Sequence, residues 1–61
     1  MKVRDLIKMI ERDGWRYMYT TGNHRHFKHP EKSGKVTVPG HPSDEVTPGT
    51  LKSILRQADL Q

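Results

Sequence analysis

Cysteine is absent from this 61-residue chain, which excludes disulfide staples and thiolate metal ligands together. A cytoplasmic location is the expectation that fits this absence. No apolar run approaches the roughly 20 residues that a membrane span requires. The opening Met1-Lys2-Val3-Arg4-Asp5 reaches an acidic residue too early for a secretory signal. A soluble protein with no membrane association is expected. Gly-rich phosphate loops, Gly-x-Ser-x-Gly elbows and paired-carboxylate patterns are also missing, so nucleotide-binding and hydrolase chemistry of those kinds is set aside. Hydrophobic residues make up only 31% of the chain. A domain this small needs consistent packing, a metal or a partner to be stable.

What is present is basic. Eleven Lys and Arg oppose seven Asp and Glu, giving a formal charge of +4. Such a balance favours polyanionic partners, because phosphate contacts release counterions. It is modest, and by itself it is also an ordinary solvated surface.

The apolar pattern organises the chain as one domain, 1–61. Val3, Leu6, Ile7 and Ile10 form an i, i+3, i+4, i+7 stripe, predicting a helix over about Lys2 to Asp13 that stops at Gly14. Lys2, Arg4, Lys8, Arg12, Asp5 and Glu11 lie off that stripe as a solvated face. Trp15 to Thr20 reads as a strand, with Trp15, Tyr17 and Tyr19 sharing one parity. Trp15 and Tyr17 are expected in the core, while Tyr19, nearer the turn, is the candidate for stacking on a nucleobase. Thr21-Gly22-Asn23 forms a turn. A second strand covers about His24 to His29, and a short third covers Lys35 to Val38 before Pro39-Gly40. Thr47-Pro48 then starts a final helix with an N-cap and a proline at its first position, and Leu51, Ile54, Leu55 and Ala58 repeat the stripe.

The fold class is therefore α+β, in the order α-β-β-β-α, with a three-stranded antiparallel sheet and both helices on one face. Phe27 is the one large apolar residue of the second strand. Its parity, shared with Arg25 and His29, faces the helices, so His24, His26 and Lys28 face outward.

Four histidines stand at positions 24, 26, 29 and 41. Imidazole suits proton transfer near neutrality, with an unperturbed pKa of about 6.5. RNA cleavage needs a base for the 2′-hydroxyl, an acid for the leaving oxygen and cations for the transition-state charge. His24 could serve with Arg25, Lys28 and Lys35 nearby. A second possibility is a metal held by His24-x-His26 and a third ligand. The plain alternative is a set of surface histidines.

The order of motifs carries a resemblance. Gly14-Trp15 closes a short helix, and Gly22-Asn23-His24-Arg25-His26-Phe27 follows. Val36-Thr37-Val38-Pro39 with His41 comes next, then Pro48-Gly49-Thr50-Leu51-Lys52-Ser53-Ile54-Leu55-Arg56-Gln57. Over essentially its whole length the chain resembles the HicA toxin family. The resemblance implies a double-stranded-RNA-binding-domain-like fold and metal-independent cleavage of mRNA without a cofactor. It also implies a HicB-type antitoxin that binds the toxin and covers its active site. A toxin monomeric alone and hetero-oligomeric with its antitoxin is expected. The family's catalytic histidine maps onto His24. RNA contacts are expected from Asn23, Arg25, His26, Lys28, Lys35 and Tyr19. Asn23 stands where the family usually has serine, and Tyr19 where a polar residue such as arginine is common.

Overall fold

The computed structural model describes residues 1–60. Its elements are helix α1 (Val3–Arg12), strands β1 (Arg16–Thr21), β2 (His24–Lys28) and β3 (Val36–Pro39), and helix α2 (Pro48–Gln57). The strands form an antiparallel sheet in the order β1-β2-β3, so β2 is central. This is the α-β-β-β-α arrangement expected from the hydrophobic pattern.

Each helix begins and ends as its termini dictate. At the start of α1, the Asp5 carboxylate accepts from the backbone N–H of Lys2 (3.3 Å), satisfying one of the free amides of the first turn. The helix closes through Gly14, whose φ of 109° allows the N–H of Trp15 to reach Ile10 O (3.1 Å) and that of Gly14 to reach Glu11 O (3.0 Å). A side chain at position 14 would also be obstructed, since a Cβ there would lie 2.7 Å from His29 Nε2. Thr47 caps α2 through its hydroxyl, which accepts from Thr50 N (3.3 Å), and Pro48 follows at the first helical position. The far end of α2 repeats the first closure with Asp59 at φ 57°: Leu60 N donates to Leu55 O (2.8 Å).

The two stripes meet over one face of the sheet. Val3, Leu6 and Ile10 of α1 pack with Ile54 of α2, Ala58, Trp15, and Phe27, Val36 and Val38 of the strands in a single core. Ile7 and Leu51 are only partly buried at its margin. Trp15 is 1% exposed, and its indole N–H donates to Ala58 O (3.2 Å), tying the end of α1 to the end of α2.

Tyr17 departs from the expectation of a core residue: it is 52% exposed. Its position on an edge strand, not its parity, leaves it open, and its parity is set by a β-bulge. Counting back from the hairpin turn, Thr21 opposes His24, Thr20 opposes Arg25 and Tyr19 opposes His26, but Tyr17 then opposes Phe27, leaving Met18 as the extra residue. The alternation slips by one, so Tyr17 and Tyr19 lie on opposite faces rather than sharing one. Tyr17 stays on the helix side of an edge strand, edge-on to Phe27 with ring centroids 6.0 Å apart, where neither helix covers it.

A polar latch joins the ends of both helices to the segment after β2. Lys32 Nζ donates to Asp13 Oδ2 (2.6 Å) and to the carbonyls of Ala58 and Asp59 (both 3.2 Å). His29 Nδ1 accepts from the N–H groups of Glu31 and Lys32, so Nε2 carries the hydrogen and donates to Asp13 O (2.7 Å). The hydrogen bond from Lys32 holds the Asp13 carboxyl below the ordinary carboxylate range, helped by the charge of Lys32 against partial burial. A depressed carboxylate adds stability above its unfolded pKa of about 3.9 and loses it as pH falls through the folded value. Lys32→Met is therefore expected to lower Tm most near neutrality, with the gap to wild type narrowing below about pH 4. Thermal melts from pH 7 to 2 check this; a gap that stays constant across the range would refute the Asp13 linkage.

Candidate active site

The site grows from the β1–β2 hairpin. Thr21 and His24 face each other across Gly22-Asn23. Gly22 takes φ 56° while Asn23 stays at negative φ, so the turn demands glycine at its first central position alone. Asn23 O accepts from Gly40 N (3.0 Å), which carries the β2–β3 ladder one step beyond the strands and fixes the turn beneath the chain after β3.

Residues directly opposite in an antiparallel pair share a face. The register therefore assigns Arg16, Tyr19 and Thr21 of β1, His24, His26 and Lys28 of β2, and Thr37 and Pro39 of β3 to the face away from the helices. His24 is exposed and forms no side-chain hydrogen bond with any described residue. Its neighbour His26 is the opposite case. Thr21 Oγ1 lies 2.8 Å from its Nε2 and Thr37 Oγ1 3.3 Å from its Nδ1, so hydroxyls from both flanking strands engage the ring. Tyr19 stacks on the same imidazole with centroids 4.5 Å apart and planes at 20°. The outcome is one free imidazole beside one clamped imidazole–phenol stack.

Lys28 is exposed opposite Arg16, and Lys35 is exposed immediately before β3. None of the seven carboxylates in the sequence falls on a strand. The ion pairs among the described residues join Met1 and Lys2 to Glu45 and Lys32 to Asp13, all outside this face. The open sheet surface is consequently cationic without internal neutralisation.

Of the residues expected at an RNA site, His24, His26, Lys28 and Tyr19 are brought to one face, with exposed Asn23 on the turn at its end. Arg25 is placed elsewhere. It pairs with Val38 on the helix side, half-buried, and its Nη1 donates to Gly40 O (2.8 Å). His29 belongs to the latch, and His41 lies in the exposed loop with its N–H donating to Asp44 Oδ2 (3.0 Å). The acidic loop is also used within the chain: Glu45 accepts from Lys2 Nζ (3.2 Å) and the N-terminal ammonium (3.3 Å), which hold its carboxyl low. Among the described residues no three His, Asp or Glu side chains converge as a metal site, and both nitrogens of His26 already have hydroxyl neighbours.

Arg16, Thr21 and Thr37 were not singled out by sequence reasoning. Arg16 reaches the open face only because the bulge at Met18 resets its parity, whereas Thr21 could have been found by pairing outward from the turn. A recess of about 160 Å³ lies between Val3, Leu6, Val38, Val46 and Ile54, with Pro39 and Gly40 at its margin and no residue of β1 or β2, His24 included, in its lining. The face around His24 is an open surface, which suits a polymer better than a small molecule.

Residues 3–60 match the family model described as HicA toxin of bacterial toxin-antitoxin. The chain belongs to the HicA toxin family. No curated protein matches it. Membership makes the chain a toxin component of a toxin–antitoxin system, with an antitoxin as its partner. In this HicA chain the match spans every element, from the first residue of α1 to the close of α2, so the hairpin carrying His24 lies inside the family's own fold. Among the described residues no helix is long and apolar enough to cross a membrane.

Proposed function

We propose that the chain is a metal-independent endoribonuclease that cleaves mRNA and thereby arrests translation, with His24 as its catalytic residue. The observation that carries this reading is the free, exposed imidazole of His24 on the central strand of a cationic sheet face. In the proposed reaction the 2′-hydroxyl loses its proton, the 2′-oxygen bonds to the adjacent phosphorus, and the 5′-oxygen leaves with a proton. His24 serves one of the two proton transfers. Lys28 and Lys35 offer charge to the phosphates on either side, and Asn23 offers its amide at the turn. Arg25 holds the backbone at Gly40 and contributes through position rather than contact.

Tyr19, backed by the clamped His26 ring, supplies a platform for an unpaired base. Stacking of this kind contributes about 1–3 kcal/mol per base. Tyr19→Ala is expected to raise KM for RNA by roughly 5- to 100-fold with a smaller change in kcat, and Tyr19→Phe to stay near wild type. Single-turnover and steady-state kinetics on one oligoribonucleotide separate the two parameters; an unchanged KM for Tyr19→Ala would remove the platform.

The toxin acts in the cytoplasm, monomeric when alone, and is neutralised in a hetero-oligomer with a HicB-type antitoxin. The decisive test is incubation of purified protein with a long mRNA, with and without chelator. Cleavage that persists in chelator supports the proposal. Binding without cleavage would instead make the chain a non-catalytic RNA-binding module. Modules that bind duplex RNA across a groove use a lysine cluster at the start of the second helix. Here α2 opens Thr47-Pro48-Gly49-Thr50, with Lys52 as the single lysine of the helix.

A further inference from the structure

The two edges of the sheet are not equivalent. On β3, alternation turns the backbone of Thr37 and Pro39 away from β2. The outward N–H of Thr37 donates to Gln57 Oε1 (3.0 Å), and Pro39 has no N–H to offer. The end of α2 thus closes that edge against another strand.

On β1 nothing comparable is built among the described residues. All six of its residues are exposed. Tyr17, Met18 and Tyr19, at 52%, 55% and 50% exposure, are consecutive. Among the described residues only Met1 joins them as an exposed large apolar side chain. Edge strands are usually blunted by lysine, proline or cover, because an unpaired edge recruits further strands. The devices of this kind on β1 are the charge of Arg16 at its start and the bulge at Met18, which limits pairing to short stretches on either side.

We propose that the outer edge of β1 is the docking edge for an acidic, strand-forming segment of the antitoxin, which adds to the sheet beside β1. The assignment rests on the toxin–antitoxin reading for the existence of that partner and adds where it binds and with what chemistry. Main-chain hydrogen bonds would anchor the added strand, with Tyr17 and Met18 packing against its side chains. Its acidity follows from charge. The chain is +4 overall, its strands carry no carboxylate, and Arg16 on β1 stands opposite Lys28 with no ion pair to any described residue. The same +4 opposes a second copy in that position. Thr21 is the cross-strand partner of His24, so a strand added beyond it sits two strand spacings, about 10 Å, from the catalytic strand. From there its side chains can reach over the open face and exclude RNA.

The test uses the full chain and a purified HicB-type antitoxin. Hydrogen exchange should show slowed amides within Arg16–Thr21 on complex formation. The variant carrying Tyr17→Glu and Met18→Glu, both on the solvent-exposed edge, should bind antitoxin roughly 10- to 100-fold more weakly while cleaving RNA at the wild-type rate. Wild-type affinity of this double variant, with protection confined to β2, β3 or α2, overturns the edge assignment and leaves the toxin–antitoxin reading intact. Loss of RNA affinity with antitoxin binding retained gives the edge to nucleic acid and also overturns it. Self-association of the wild-type chain that the two glutamates abolish gives the edge to a second copy and overturns it likewise. An antitoxin that fails to bind the wild-type chain at all removes the partner reading itself.

Discussion

His24→Ala is expected to abolish detectable mRNA cleavage and growth arrest while the protein remains folded. Loss of a positioned acid or base removes about 10²- to 10⁴-fold in rate, equivalent to roughly 3–5 kcal/mol of transition-state stabilisation. The stability side of the substitution is small, because the ring is exposed and bonded to no described residue. Exposed substitutions of this type usually fall within about ±0.5 kcal/mol, a Tm change of only a few degrees in a domain this size. Activity and stability are thus expected to separate completely, which a core defect could not imitate. His26→Ala provides the internal comparison. It removes the ring bridging Thr21 and Thr37 and the support under Tyr19, so its loss should fall more on RNA affinity than on the chemical step. Full toxicity of His24→Ala, or a larger kcat defect in His26→Ala, would transfer the chemistry away from position 24.

Much of this arrangement could be read from the chain, for identifiable reasons. The helices are written in stripes of apolar residues whose ends coincide with Gly14 and with Thr47-Pro48, so both elements followed directly, with Val3, Leu6, Ile10, Ile54 and Ala58 buried as expected and Ile7, Leu51 and Leu55 only partly so. The parity of β2 was equally legible, because Phe27 is its one large apolar residue and drags Arg25 and His29 to the helix side with it. β1 was not legible. It has three large apolar residues in sequence, and nothing local says which of them the sheet will leave unpaired. The bulge is chosen by the hairpin turn acting from one end and Trp15, anchored in the core through Ala58, acting from the other. Between these fixed points the strand holds one residue too many, and Met18 absorbs it. That slip turns Tyr17 to the helix side, where the edge of the sheet leaves it uncovered, places Arg16 beside Lys28 and separates Tyr17 from Tyr19. Long-range polar contacts were hidden for a related reason. Lys32 reaching Ala58 and Gln57 reaching Thr37 join segments that become neighbours only after the core has formed.

Phe27→Ala is expected to unfold the domain or nearly so. Phe27, on the central strand opposite Val36 of β3, is 1% exposed and lies in the one core that residues of both helices share. Truncating a buried phenylalanine to alanine costs about 3–5 kcal/mol. At about 0.05–0.15 kcal/mol per residue, a chain of this length has only about 3–9 kcal/mol in total. One side chain therefore carries a share comparable to the whole margin, since no disulfide is available to make up the loss. Urea titration followed by circular dichroism should show a midpoint near zero for Phe27→Ala and a clearly folded Phe27→Leu, whose volume change is much smaller. The same strand presents Phe27 inward and His24 outward, so the alanine variant should also be inactive, but for a different reason. Excess antitoxin distinguishes the two: a partner that binds only the folded form adds about 2.7 kcal/mol at 100 times its Kd and should restore ordered structure to Phe27→Ala. A Phe27→Ala protein with wild-type stability would mean that the sheet does not pack on the helices through this residue, and the outward orientation of His24 would lose its physical basis.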